Sequence, residues 1–192
     1  MKIIHANIFE LAANDDIDVI VHGCNCFNIM GAGIAKEIAR LFPDAYQADQ
    51  ATRRGDPRKL GHITTASCPA PMWENYIPNS RLVPGKPYFR GRETACRTLV
   101  INAYTQFSYG PDKKGNMPFS ANSMIDAMER TVISLIKREA KTPRPLRIAS
   151  PLIGAGLAGG DPELCKEILS CAFEEMDYTL VLLPEKNGAP HA

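Results

Sequence analysis

The sequence predicts an α/β sandwich, a sheet of about six strands with helices packed on both faces. Three observations carry that expectation. Short runs of β-branched residues alternate with helix-period segments in the later part of the chain. Two strands are each followed by a run of glycine and alanine and then by a helix start. The chain has 192 residues, enough for one domain with a proper core and too few for two comfortable ones, so 1–192 is read as a single domain.

The elements follow in order. Residues 2–7 form a first strand around Ile3 and Ile4, and Asn14-Asp15-Asp16 turns the chain. Val19, Ile20 and Val21 form a short apolar run of the kind a buried strand shows. Residues 22–30 are polar and irregular. Gly31-Ala32-Gly33 then opens a helix with Ile34, Ala35, Ile38, Leu41 and Phe42 at helical spacing, and Pro43 ends it. Residues 44–51 continue as a short second helix, 52–57 are a loop, and the threonine-rich 61–66 is a strand. Residues 67–97, with Trp73, five prolines and five basic residues, read as an insertion. Residues 98–103 are a strand and 104–119 a loop. Residues 121–140 are the clearest helix, with Met124, Met128, Val132, Leu135 and Ile136 as its stripe. A strand at 146–149, a helix from 162 to about 176 with Leu164, Ile168 and Ala172 inward, and a strand at 179–183 complete the chain. Residues 185–192 read as a flexible tail.

Composition narrows the function. Lys and Arg number 22 and Asp and Glu 21, a net charge of +1, so nothing global argues for a polyanionic partner such as DNA. The apolar runs are too short for a membrane span, and the first residues do not read as a signal peptide, which sets the expectation of a cytoplasmic protein with no membrane partner. Cys24, Cys26, Cys68, Cys96, Cys165 and Cys171 are then reduced thiols. Their spacing is not that of a metal centre, and nothing in the sequence calls for a metal or a cofactor.

The chemistry lies in the two small-residue loops. A strand, a loop and a helix opening at Gly31-Ala32-Gly33 aim free backbone N–H groups and a positive dipole end at one spot, where an anion belongs. The second loop, Pro151 to Gly160, repeats the logic. Its small residues let backbone approach a ligand closely, and Asp161, Pro162 and Glu163 start the next helix. Together the loops suggest a diphosphate held between them. The alternative is that the small residues only permit tight strand–helix packing. His22, beside the first loop, can act as a general base or be a structural histidine. Asp161 can activate water or simply cap its helix. The arginines of 67–97 can grip a phosphate or a modified macromolecule, or be solvated.

These stretches resemble the macro domain family. The residues concerned are Val19-Ile20-Val21-His22-Gly23-Cys24-Asn25, Met30-Gly31-Ala32-Gly33-Ile34-Ala35 and Pro151-Leu152-Ile153-Gly154-Ala155-Gly156-Leu157-Ala158-Gly159. Both ligand loops stand in the family's order and spacing. The wording is closest to the branch of terminal ADP-ribose hydrolases and ADP-ribose 1″-phosphate phosphatases. The resemblance implies a three-layer α/β/α sandwich with a mixed sheet, and ADP-ribose or a derivative as ligand, free or attached to protein or nucleic acid. It places Asn7 and Ile8 at the adenine, with Asn7 where the family usually has aspartate; a strand-end turn is the other reading of Asn7. It places Asn25 at the distal ribose, an Asx turn being the alternative. Gly31, Ala32, Gly33 and Ile34 would form the first diphosphate loop, and Gly154, Ala155, Gly156, Leu157, Ala158 and Gly159 the second, chiefly through backbone N–H groups. At Ala158 many relatives carry an aromatic residue over the distal ribose. One deacylating group uses a lysine after the strand that corresponds to 98–103; here Tyr104-Thr105-Gln106 stand there, so attack by an oriented water is expected instead.

Two functions follow as expectations. One is hydrolysis of a substituent on the distal ribose, using Asn25, Asp161 and His22. The other is a reader that binds ADP-ribose without turnover. A nicotinamide-dependent dehydrogenase fits poorly, because Gly-Ala-Gly-Ile-Ala is not the G-x-G-x-x-G fingerprint and does not follow its strand directly.

Overall fold

The computed structural model describes residues 1–69 and 97–184. The elements are β1 (Lys2–His5), α1 (Ile8–Ala13), β2 (Val19–Asn25), α2 (Gly33–Leu41), α3 (Pro43–Gln50), β3 (Ile63–Pro69), β4 (Arg97–Gln106), α4 (Ala121–Glu139), β5 (Ile148–Ser150), α5 (Pro162–Ala172) and β6 (Tyr178–Leu182). The sheet has the order β1-β6-β5-β2-β4-β3. Every neighbouring pair is parallel except β3 with β4, so the sheet is mixed.

Strand alternation divides the apolar residues between two cores. Val19 and Val21 of β2 and Leu99 and Ile101 of β4 face Met124, Met128 and Leu135 of α4 and Ile168 and Leu169 of α5. Ile20 and Cys24 of β2 and Val100 and Tyr104 of β4 face Ile8, Phe9, Ile38, Phe42 and Ala45 from α1, α2 and the start of α3. The result is the expected three-layer α/β/α sandwich. No described helix is long and apolar enough to cross a membrane.

Several expectations need correction. The first strand ends at His5, and Asn7 caps a helix, α1, that the sequence reading lacks: its Oδ1 accepts from the Phe9 N–H at 3.0 Å. Residues 22–25 continue β2, because β4 supplies backbone partners as far as Asn25. Both ends of the supposed insertion are strand, with Ser67, Cys68 and Pro69 opposite Leu99, Thr98 and Arg97. The rest of that segment, with Trp73 and Cys96, and the 185–192 tail lie outside the described residues. On α4, Ile136 is solvent-facing, and on α5 Cys165 and Leu169 share the buried face with Ile168 while Leu164 is exposed.

At the edge of the sheet where β2 and β5 begin, one carboxylate joins the two strands. Asp18 accepts from both Arg144 Nη atoms at 2.7 and 2.9 Å, and from Arg147 N, Nε and Nη2 at 2.8, 3.0 and 2.9 Å. Burial alone would raise the carboxyl's pKa, but the hydrogen bonds from Arg144 and Arg147 outweigh it and hold the group well below the usual carboxylate range. Asp18→Asn should therefore lower the urea midpoint at neutral pH by the equivalent of about 1–2 kcal/mol, after discounting for the exposure of Arg144. A depressed carboxyl stabilises above its unfolded value. The gap between variant and wild type should thus close as pH falls below about 3.9. Identical midpoints at pH 7 would dismiss the clamp.

Candidate functional site

The sheet topology itself places a crevice. β2 and β5 lie side by side, with Val19 opposite Ile148 and Ile20 opposite Ala149. From β2 the chain passes to α2, whose Ile38 packs in one core. From β5 it passes to α5, whose Cys165, Ile168 and Leu169 pack in the other. The two connections leave for opposite layers, and such a switch point opens a cleft beyond the carboxyl ends of the strands. The end of β1, with Asn7 and Ile8, lies on the same sheet edge, beyond β6.

Both loops carry unused backbone donors at this end of the sheet. Among the described residues, no acceptor stands opposite the backbone N–H groups of Gly31, Ala32, Gly33, Ile34 and Ala35, nor those of Gly154, Ala155, Gly156, Leu157 and Ala158. α2 begins at Ala32 with no side-chain cap, whereas α1, α4 and α5 are capped by Asn7, Ser120 and Asp161. The loops converge: a Cβ placed on Gly33 would lie 3.8 Å from Leu157 Cδ1. Leu157, 68 % exposed, is the side chain of the second loop that faces the first.

The glycines of the second loop sort into two kinds. Gly154 has φ +87°, and a Cβ there would stand 2.5 Å from the ring of Phe119. Gly159 and Gly160 are crowded in the same way by Met117 and Phe119. At these positions smallness serves packing. Gly159 also spends its N–H on Gly156 O at 3.0 Å, and Gly160 donates to Gly154 O at 2.9 Å, so the expected donor role of Gly159 is withdrawn. Gly156 differs: no described atom lies within 4 Å of its would-be Cβ, and its φ is ordinary. Its missing side chain leaves open space over the cleft. Ala158 is buried, and its carbonyl accepts from Phe119 N at 3.2 Å. Its side chain is packed inside, and what it can offer a ligand is the backbone N–H expected of this loop.

The first loop is held by side chains inside it and far from it. Asn25 Oδ1 accepts from Phe27 N at 3.0 Å and Ile29 N at 3.3 Å, and its Nδ2 donates to Ile29 O at 2.7 Å. The Asx-turn alternative is thus realised, and one N–H of the carboxamide remains for another partner. Asn28 takes φ +59° and donates to Asp49 O, Thr52 O and Thr52 Oγ1. Lys59, itself buried, donates to Asn28 Oδ1 at 2.9 Å and Cys26 O at 3.3 Å and stands 3.7 Å from Asp49. Asp49 in turn accepts from Tyr104 OH at 2.9 Å. The sequence reading missed Asn28, Asp49 and Lys59. No local pattern marks them, since Asn28 meets Asp49 across 21 positions of chain and Lys59 across 31.

The remaining candidates are engaged elsewhere. His22 is fully buried on β2, and its Nε2 donates to Asn102 Oδ1 at 2.7 Å. The direction is fixed because Asn102 spends both amide hydrogens on Ala45 O and Thr64 Oγ1. Burial pushes the His22 pKa down to about 4, against the raising effect of that hydrogen bond. It is a core histidine with no exposed surface among the described residues, and the general-base assignment is corrected. Asp161 Oδ1 accepts from Glu163 N at 2.8 Å and Leu164 N at 3.2 Å, so it caps α5. Asn7 caps α1, and the Ile8 side chain is in the core. Pro151 follows β5 directly and accepts from Ser150 Oγ at 2.8 Å. Thr105 Oγ1, beneath Gly23, is buried with no partner among the described residues. No group of three His, Cys, Asp or Glu side chains among the described residues is placed to hold a metal ion.

Comparison with known proteins adds three findings. No family model matches the chain. An uncharacterised 17.5 kDa protein from the tk–vs intergenic region of phage T4 is 32 % identical over 165 residues, which cover 84 % of each chain. Among solved structures, the macrodomain of Mycobacterium tuberculosis DarG superposes with a TM-score of 0.60 at 16 % identity, covering 95 % of this chain and 98 % of its own. Thermosipho africanus DarTG in complex with ADP-ribose superposes with a TM-score of 0.65 at 14 % identity, over 98 % of this chain and 42 % of the larger protein.

Proposed function

Since the chain belongs to one family with the phage T4 protein and has the macrodomain fold, we propose that its crevice binds ADP-ribose, with the diphosphate between the loop that opens α2 and the loop that follows β5. One observation supports this above the others: two facing sets of backbone N–H groups without acceptors, one of them at an uncapped helix N-terminus. Gly156 leaves room for the ligand to approach the second set.

The finer reading is hydrolysis of a substituent on the distal ribose, as a 1″-phosphatase or as a mono-ADP-ribosyl hydrolase. His22 is buried in the core and Asp161 Oδ1 caps α5, so the expected route is direct attack by a water oriented beside the bound ligand, with the ligand's own diphosphate as its nearest charged neighbour. Catalysis would be chiefly positional. Those same commitments favour a second reading, a module that holds ADP-ribose without turnover.

Calorimetric titration with ADP-ribose, with AMP and NAD as controls, tests the site. Selective binding of ADP-ribose is the expected result, and absence of binding would overturn the reading. Product analysis on ADP-ribose 1″-phosphate and on glutamate- and thymidine-linked ADP-ribose then separates hydrolase from reader.

A further inference from the structure

Beside the crevice, outside its loops of small residues, lies a second surface of different chemistry. Phe27, just beyond β2, holds two rings edge-on: Phe107 at 5.2 Å and 73°, and Tyr109 at 6.2 Å and 80°. Phe107 is 37 % and Tyr109 57 % exposed. The backbone beside Phe27 and Phe107 is tied to the sheet, because Cys26 donates to Phe107 O at 2.9 Å and Gly55 donates to Cys26 O at 2.8 Å. A Cβ on Gly55 would lie 3.4 Å from the Phe27 ring, so the residue 52–58 loop borders the aromatics directly.

The flanks are basic. Arg53, Arg54 and Arg58 project from one bordering loop, and Lys113 and Lys114 from the loop that carries Tyr109; all five are exposed. The acids of these loops are Asp56 and Asp112. Asp56 is paired with Arg58 at 2.7 Å, and Asp112 accepts from Lys114 N, Asn116 N and Asn116 Nδ2. The near-neutral whole chain thus conceals a local excess of positive charge around exposed rings.

Rings in a basic surround match bases in a phosphate chain: each base can stack on a ring, and the flanking cations neutralise backbone phosphates. A duplex hides the base faces. We infer that the Phe27–Phe107–Tyr109 platform, flanked by Arg53, Arg54, Lys113 and Lys114, binds single-stranded nucleic acid. Phe27 donates its N–H to Asn25 and so adjoins the proposed ADP-ribose crevice, but the inference rests on the rings and the flanking cations and does not depend on that reading.

The test is fluorescence anisotropy of the full chain with a short labelled oligothymidine at low salt, beside a duplex of equal length. The oligonucleotide carries no ADP-ribose, so its result stands apart from the ADP-ribose titration. Single strands should bind better than duplex, with affinity falling as salt rises. Tyr109→Ala should weaken binding by about tenfold, and Arg53→Glu with Arg54→Glu by about as much or more. Both sets of side chains are exposed, so urea midpoints should stay put. Three results would each overturn the inference: no binding of single strands, binding indifferent to these substitutions, or anionic phospholipid vesicles that compete the oligonucleotide off, which would mark a membrane-facing surface instead.

Discussion

Gly156→Glu is expected to abolish ADP-ribose binding, and Gly154→Ala to leave a protein too unstable to assay well. The two residues stand in one loop, yet different physics holds each small. Gly156 has ordinary backbone and open space where its side chain would go, so a glutamate there should shift the urea midpoint by no more than about 0.5 kcal/mol. Its carboxylate would, however, enter the space assigned to the diphosphate. Like charges a few ångströms apart at a protein surface repel by about 3 kcal/mol, which is a hundredfold or more in affinity. Gly154 has φ +87°, and an added methyl would meet the Phe119 ring at 2.5 Å and Cys165 Sγ at 3.1 Å. Left-handed strain and overpacking together should cost about 3 kcal/mol. Calorimetry and urea titration on both variants separate the effects. If Gly156→Glu binds like wild type, the ligand does not cross this loop.

The second large effect is pH-dependent. His22 is held neutral by burial with a pKa near 4, whereas in the unfolded chain it would titrate near 6.5. Above 6.5 neither state carries the proton and the fold has its full stability. As pH falls from 6.5 towards 4 the unfolded chain takes up a proton that the fold refuses, so stability drops, by about 3 kcal/mol in all. Asp49, whose carboxyl burial pushes up, works in the opposite sense. The informative quantity is therefore the difference between wild type and His22→Gln, a substitution that keeps a donor towards Asn102. Wild type should lose that increment between pH 6.5 and 4 and the variant should not. Parallel stability curves would show that His22 is solvated after all.

What could be read from the sequence follows from how local each signal is. The apolar cores of β2 and β4 and the long α4 announce themselves by runs and periods contained within the element. The helix dipole logic of the loop that opens α2 was equally legible, because glycine, alanine and the helix stripe are contiguous. α1 was missed although its marker was present: Asn7 at the cap with Glu10 three residues on is a helix-start signature. The polar end of β2 was misread because its justification is remote. His22 is acceptable inside only because Asn102 meets it 80 residues later, and Asn25 looked like a free amide until the Phe27–Ile29 backbone closed around it. The general-base expectation for His22 failed for the same reason: a side chain's type can be read from sequence, but not whether it is buried with its hydrogen-bonding capacity already spent.

The two apolar cores lie on opposite faces of the sheet, and each loop of the crevice leads into the helices of only one of them. A ligand gripped by both loops would act as a rivet through the three layers. It would tie α2 to α5 at the one edge where the strands no longer do so, opposite the edge that Asp18 already binds together. Occupancy would then add to the stability of the whole sandwich by mass action, about 2.7 kcal/mol at a hundredfold excess over the dissociation constant. With a ligand in place, both ends of the β2–β5 seam would be closed, one by arginine and aspartate, the other by the molecule the protein holds.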